Sequence, residues 1–212
     1  MIDIHLPQGK LIGVKEFFLH LFTITIGLLI ALSLEGFVEY EHHRHLAHEA
    51  EAGLRAEIAS NEHELVRQRQ MIKDYQKQLQ DDLNILAVMR ADPHAKRGTI
   101  RLSGGLGSFD DMSWKTAQIT GAIAYIPYKD AQDFSDIYLM QDIYLSNVLH
   151  SVDDLDTASS LLISHPDDWI PSPAQIDIET DRIGKVEGDL ALINGLLDNL
   201  DNNYKEFDAK HK

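Results

Sequence analysis

Between Glu39 and Glu49 the chain carries its densest set of metal-ligating side chains: Glu39, Glu41, His42, His43, His45, His48 and Glu49. On a helix, Glu39 and His42, His42 and His45, His45 and His48, and His45 and Glu49 share faces, and paired imidazole and carboxylate donors at that spacing suit a divalent metal. A di-metal carboxylate centre among helices needs two Glu-x-x-His pairs and two further glutamates from neighbouring helices. One pair is present, Glu39 to His42. The competing reading, which the spacing favours, is a polar collar beside a membrane. The expectation is therefore no metal, with His42, His45, Glu39 and Glu49 the candidate ligands, in one chain or between symmetry-related copies.

Other patterns carry less chemistry. Gly104, Gly105 and Gly107 form a glycine run, but no Lys-Ser or Lys-Thr follows, as a phosphate-binding loop requires. Asp153, Asp154 and Asp156, and Asp167 with Asp168, lack the glycine and the closing glutamate of a calcium loop. Trp114, Trp169, Tyr125 and Tyr128 lie near predicted helix ends, where aromatic rings more often cover a core than stack a ligand. No nucleophile-elbow sequence occurs. The absence of cysteine removes disulfides, thiolate metal sites and a thiol nucleophile together. No catalytic residue and no cofactor are expected, and the chain reads as not an enzyme.

The element that positions the collar is apolar. From residue 17 to 38 only His20 and Glu35 can ionise, and about 20 apolar residues span a hydrocarbon core of about 30 Å. This is read as a transmembrane helix after a short tail, residues 1–16. A cleaved signal peptide competes, since Ala31-Leu32-Ser33 resembles a small-residue cleavage site, but apolar character continues through Leu34, Phe37 and Val38. Thr23, Gly27, Ala31 and Glu35 recur every fourth residue on one face. Small residues so placed let two membrane helices approach closely, and a carboxyl group there is cheaper facing protein than lipid. The plainer reading is that Gly and Ala are common in such helices and that Glu35 reaches the headgroups. Lys10 and Lys15 precede the span and only Arg44 follows closely, which points to a cytoplasmic N-terminus in a bacterial inner membrane and a periplasmic remainder.

Residues 39–212 read as one helical unit. No helix breaker occurs before Pro93, so the span continues as a stalk to about Ala91. Leu54, Ile58, Leu65, Ile72, Tyr75, Leu79, Leu86 and Met89 keep a 3-4 spacing, diluted by Asn61, Gln68 and Asp82. A glycine-rich loop covers 92–111. A short helix follows from Met112 to Thr120, capped by Asp111 or Ser113 and ended by Gly121. A third helix, Lys129 to Ser164, has a seam at Phe134, Tyr138, Leu145, Val148, Val152, Leu155 and Leu162, broken by Gln141 and Ser159, and His165-Pro166 ends it. A fourth opens on a capping box, Ser172 to Gln175 with Pro173 at its first position. Its seam is Ile176, Ile183, Val186, Leu190, Ile193, Leu197, Leu200, Tyr204 and Phe207, with Glu179 the exception. The predicted fold class is all-α: a transmembrane helix continuing into a long stalk, and an antiparallel three-helix coiled-coil-like bundle with one short extra helix.

Four stretches carry a resemblance: Thr25 to Leu32 running into Leu34-Glu35, then His42 to Leu46, Leu54 to Ile58 with Asn61, and Ser113 to Ala117. On these the chain resembles a bacterial family of single-pass membrane-anchored helical proteins of unknown function. The resemblance covers roughly the first 130 residues and implies architecture, with no activity or site residue.

Charge narrows the partners. The chain carries −15 overall, and after Arg101 it holds 20 Asp and Glu against 7 Lys and Arg. Such a field repels phosphate backbones, so nucleic acid is not an expected partner. The expected partners are membrane lipid and, through the transmembrane helix, another protein or a second copy. The first functional expectation is thus a membrane-anchored structural or interaction protein, an oligomer-forming or accessory subunit. A second is an extracytoplasmic sensor or ligand-binding bundle; about sixteen residues across the membrane are too few for a signalling domain, so it needs a separate transducer. A third is a metal-dependent enzyme using the histidine-rich segment.

Overall fold

A computed structural model describes residues 13–92, 98–102, 104–163 and 170–211, with the side chains of 161–163 left aside. Four α-helices and one 3-10 turn make up its regular structure, and no strand occurs among the described residues. Helix α1 runs unbroken from Val14–Ala91, 78 residues or about 117 Å. Helix α2 is Met112–Ile119, the 3-10 turn is Ala122–Tyr125, α3 is Tyr128–Ile163 and α4 is Pro173–Lys210. The expected end of the third helix at His165-Pro166 lies outside the described residues.

The start of α4 is as its sequence predicts. Ser172 accepts from the Gln175 backbone N–H through its hydroxyl at 3.4 Å, and the Gln175 side-chain oxygen accepts from Ser172 N at 2.8 Å. Every residue of its expected seam is buried, Glu179 included. Gly121 ends α2 in the left-handed region at φ 73°, a conformation that costs glycine little. The other end of α2 departs from expectation. Neither Asp111 nor Ser113 caps it through a side chain. Asp111 instead pairs with Lys115 at 2.6 Å, and Glu57 of α1 accepts from the Ser113 N–H at 2.7 Å. A carboxylate at a helix N-terminus satisfies a free N–H and meets the positive end of the dipole.

Cross-helix pairs fix the directions. Arg69 meets Asp198 and Asp201 at 2.5 and 3.3 Å, and Arg90 meets Asp177 at 2.9 Å, so α4 runs antiparallel to α1. Lys210 with Asp133 at 2.8 Å and Lys185 with Asp154 at 2.7 Å set α4 antiparallel to α3. Tyr138 to Glu57 and Tyr144 to Gln68 then make α1 and α3 parallel. The core of α3 is turned from the expected seam. Phe134, Tyr138, Gln141 and Val148 are buried at the expected seam positions, but Ile137, Tyr144, Ser151 and Ala158 face inward as well, whereas Val152 is exposed and Leu145 only partly covered. The rotation lets Tyr144 reach Gln68 and puts two small side chains, Ser151 and Ala158, on the side facing the core, where they permit close packing.

The glycine-rich loop is the least expected element. Its chain runs back along α1 as a strap. Arg101 N donates to Asp82 Oδ1 at 3.0 Å, Gly107 N to Gln68 Oε1 at 2.9 Å, and Asp110 N to Asn61 Oδ1 at 2.9 Å, while Asn61 Nδ2 donates back to the Asp110 carbonyl at 2.7 Å. From Gly107 to Asp110 three residues of strap thus match one heptad of helix, about 10 Å in each case, so the strap is close to fully extended there. Glycine is required where it touches α1: a Cβ at Gly104 would meet the Tyr75 ring at 2.6 Å, and one at Gly98 would meet Ile85 at 2.7 Å. Ile100, Leu102, Leu106 and Phe109 turn into the core. One row of the α1 seam, Ile58 to Leu86, is thus apolar, and the other row holds the strap.

Two substitutions separate a strap-bearing seam from a diluted coiled coil. Asn61→Leu would improve a coiled coil; here it removes both hydrogen bonds to the part-buried backbone of Asp110 and is expected to cost about 2 kcal/mol. Gly104→Ala forces a methyl into the Tyr75 ring and is expected to cost about 1–3 kcal/mol, whereas Gly105→Ala, with open space around it, is expected to be near neutral. Urea midpoints of the three variants check this.

Candidate functional site

The first third of α1 is long and apolar enough to cross a membrane, and its apolar window is wholly exposed. Its hydroxyls are turned inward on the helix. Thr23, Thr25 and Ser33 donate to the carbonyls of Leu19, Leu21 and Leu29 at 2.9, 2.8 and 2.7 Å. Such back-bonding leaves no unpaired hydroxyl proton on an apolar surface. Thr23, Gly27, Ala31 and Glu35 lie along one exposed stripe, and a methyl group at Gly27 would meet nothing within 4 Å. The stripe has no partner within the described chain.

The histidine collar does not gather into a metal centre. His45 Nε2 lies 3.2 Å from Glu49, and His43 Nε2 4.0 Å from Glu39. His42 and His48 are exposed. Among the described residues no other helix brings a carboxylate to the four candidates, and no three of their ligand atoms converge. What does reach the collar is aromatic: Tyr125 stacks on His43 with ring centroids 3.9 Å apart. The sequence names both residues but gives no signal that they meet.

Two other groups of ligand atoms converge within 4.8 Å: His150, Asp154 and Asp189, and Asp130, Asp133 and His211. In each a lysine occupies the cationic position. Lys185 sits 2.7 Å from Asp154 and Lys210 2.8 Å from Asp133, and these ammonium groups hold the two aspartates below the usual carboxylate range. Burial, with Asp154 beside it, pushes Asp189 the other way. These are helix-to-helix ties. Asp153 and Asp156 are exposed, and Asp167, Asp168 and Trp169 lie outside the described residues.

The buried polar residues form a network, of which sequence reading marks Gln68 and Gln141 only as interruptions of the apolar seams. Glu57 takes the Tyr138 hydroxyl at 2.7 Å as well as Ser113 N. Gln68 takes the Tyr144 hydroxyl at 3.1 Å, and Gln141 donates to the Tyr204 hydroxyl at 2.9 Å. Trp114 stacks on Tyr138 at 5.0 Å. Burial pushes all three phenols well above their ordinary range, and Tyr75 to about 12, so all four stay protonated; Tyr138 and Tyr144 donate, whereas Tyr204 accepts from Gln141. The signal for Asn61, Gln68 and Asp82 was their place in one heptad row, seven and fourteen residues apart. A groove of about 280 Å³ between α3 and α4, lined by Ile137, Met140, Ile143, Asn203 and Phe207, is open to solvent. That is below the usual size of a small-molecule site.

Neither a family model nor a curated protein nor a solved structure matches the chain. The resemblance drawn above therefore rests on its quoted residues alone.

One buried acid has a measurable consequence. The Glu179 side chain is 1% exposed, and neither carboxylate oxygen finds a hydrogen bond among the described residues. Arg182 is 3.6 Å away and favours the charged form. Burial outweighs it and lifts Glu179 from 4.5 to about 7. The folded state then holds a proton that the unfolded state releases above pH 4.5, so stability falls as pH rises toward 7 and the loss is complete above it. Glu179→Gln is expected to flatten the wild-type decline between pH 5 and 8 by about 2–3 kcal/mol, read from denaturation midpoints across that range.

Proposed function

We propose that this chain is a membrane-anchored structural or interaction protein, an oligomer-forming or accessory subunit of a membrane complex with no catalytic activity of its own. The observation that carries this reading is the continuity of α1. One helix supplies both the fully exposed apolar segment and, without a hinge, the seam on which α4 and the strap pack. Exposed apolar surface of that length is costly in water and favourable in lipid. In this reading residues 17–38 cross a bacterial inner membrane with the N-terminus cytoplasmic, and the three long helices stand in the periplasm as a coiled-coil-like bundle. The stripe Thr23, Gly27, Ala31 and Glu35 is the contact face, toward a second copy or another membrane subunit. Its support is that none of the described residues covers it.

Protein extracted in mild detergent is expected to run as an oligomer or with a copurifying partner. Gly27→Leu together with Ala31→Leu should lower that assembly several-fold while leaving the helical circular dichroism unchanged. A strictly monomeric, partner-free wild type would overturn the contact. Recovery of the full chain in the soluble fraction would overturn the anchor.

A further inference from the structure

The half of the chain after Arg101 is strongly acidic, yet Thr116 to Tyr128, thirteen residues, contains no Asp, Glu, Lys or Arg, and Lys115 and Lys129 bracket it. The structure gathers this uncharged stretch at one end of the domain. Glu57 holds the start of α2. The 3-10 turn then packs on α1, where Ala122 and Ala47 are both buried, and Tyr125 lies flat on His43. From there α3 departs in the opposite sense and has regained the level of Glu57 by Tyr138. Residues 119–128 are therefore the turn of the domain nearest to Val38. His43 is five residues beyond Val38, about 8 Å of helix, and the polar layer of a bilayer is about 5–8 Å deep on each side.

The side chains at this turn suit that layer. Ile119 is 86% exposed, Tyr128 83% and Tyr125 46%. Tyrosine, with an apolar ring and a polar tip, is enriched at membrane interfaces, and flanking lysines can lay their stems along lipid with the ammonium in water. The nearby acids of the collar are already engaged, Glu41 by Arg44 at 3.5 Å and Glu49 by His45 at 3.2 Å. We propose that residues 116–128 make a second contact with the bilayer that α1 crosses, seating Ile119, Tyr125 and Tyr128 among the lipid headgroups. This rests on the membrane reading of α1. Two contacts instead of one fix the domain's rotation about the α1 axis as well as its position.

The chain has no cysteine, so single substitutions label it uniquely. Ile119→Cys, Leu29→Cys in the span and Ile178→Cys on α4, all exposed positions, are each given an environment-sensitive fluorophore. The full chain is then reconstituted in phosphatidylcholine vesicles carrying a spin label on the headgroup or mid-chain. The expected result is quenching of the Leu29 site by the mid-chain label, and quenching of the Ile119 site by the headgroup label several-fold above the Ile178 site. If Leu29 is quenched while Ile119 matches Ile178, the second contact is overturned and the anchor stands, the turn then being free or covered by protein. If Leu29 is unquenched, the anchor itself fails and the contact with it.

Discussion

A backbone that runs without secondary structure along a buried helix face must place every N–H and C=O, and that constraint organises this molecule. Asn61, Gln68 and Asp82 answer it from one heptad row of α1, seven and fourteen residues apart, each taking a backbone N–H of the strap. An unmade hydrogen bond of this kind costs about 1–3 kcal/mol, so the three residues fix the strap's register as much as its position. The strap in turn carries the chain back to Glu57, where α2 begins. Everything from Met112 to Tyr128 is delivered to the collar end by that return path.

The apolar periodicities were readable where a helix packs only against other helices. Helix α4 lies between α1 and α3, and its 3-4 pattern from Ile176 to Phe207 identifies every buried position. Pro173 and the Ser172–Gln175 pair mark its start without tertiary information. On α3 the same reasoning chose Leu145 and Val152 over Tyr144 and Ser151, because hydrophobicity alone ranks them so. The inward face was decided by a hydrogen bond, Tyr144 to Gln68, and by the space that small residues leave. On α1 the polar seam residues looked like weaknesses in a coiled coil. They are strong docking positions for a segment that has no period of its own and so gives no signal in a periodicity search.

The candidate sites divide in a similar way. A stripe of small residues is a property of one helix, so Thr23, Gly27, Ala31 and Glu35 share a face in sequence and structure alike. A metal centre needs donors from several helices. Sequence proximity brought His42, His45, Glu39 and Glu49 onto neighbouring turns, while the helix that reaches the collar brings Tyr125 instead of a carboxylate. The ion pairs Lys185–Asp154 and Lys210–Asp133 join residues 31 and 77 positions apart, a separation at which spacing rules are silent.

The absence of any break in α1 makes it a lever. Beyond Val38 the helix continues for about 80 Å at 1.5 Å per residue. Membrane helices lean by about 20° on average, with the lean set partly by local bilayer thickness. Were residues 17–38 to cross a bilayer as proposed, a lean of that size, carried up a stiff shaft, would swing the Arg90 end sideways by about 27 Å. Bilayer thickness would thereby set how far from its own footing the tip can touch a neighbour.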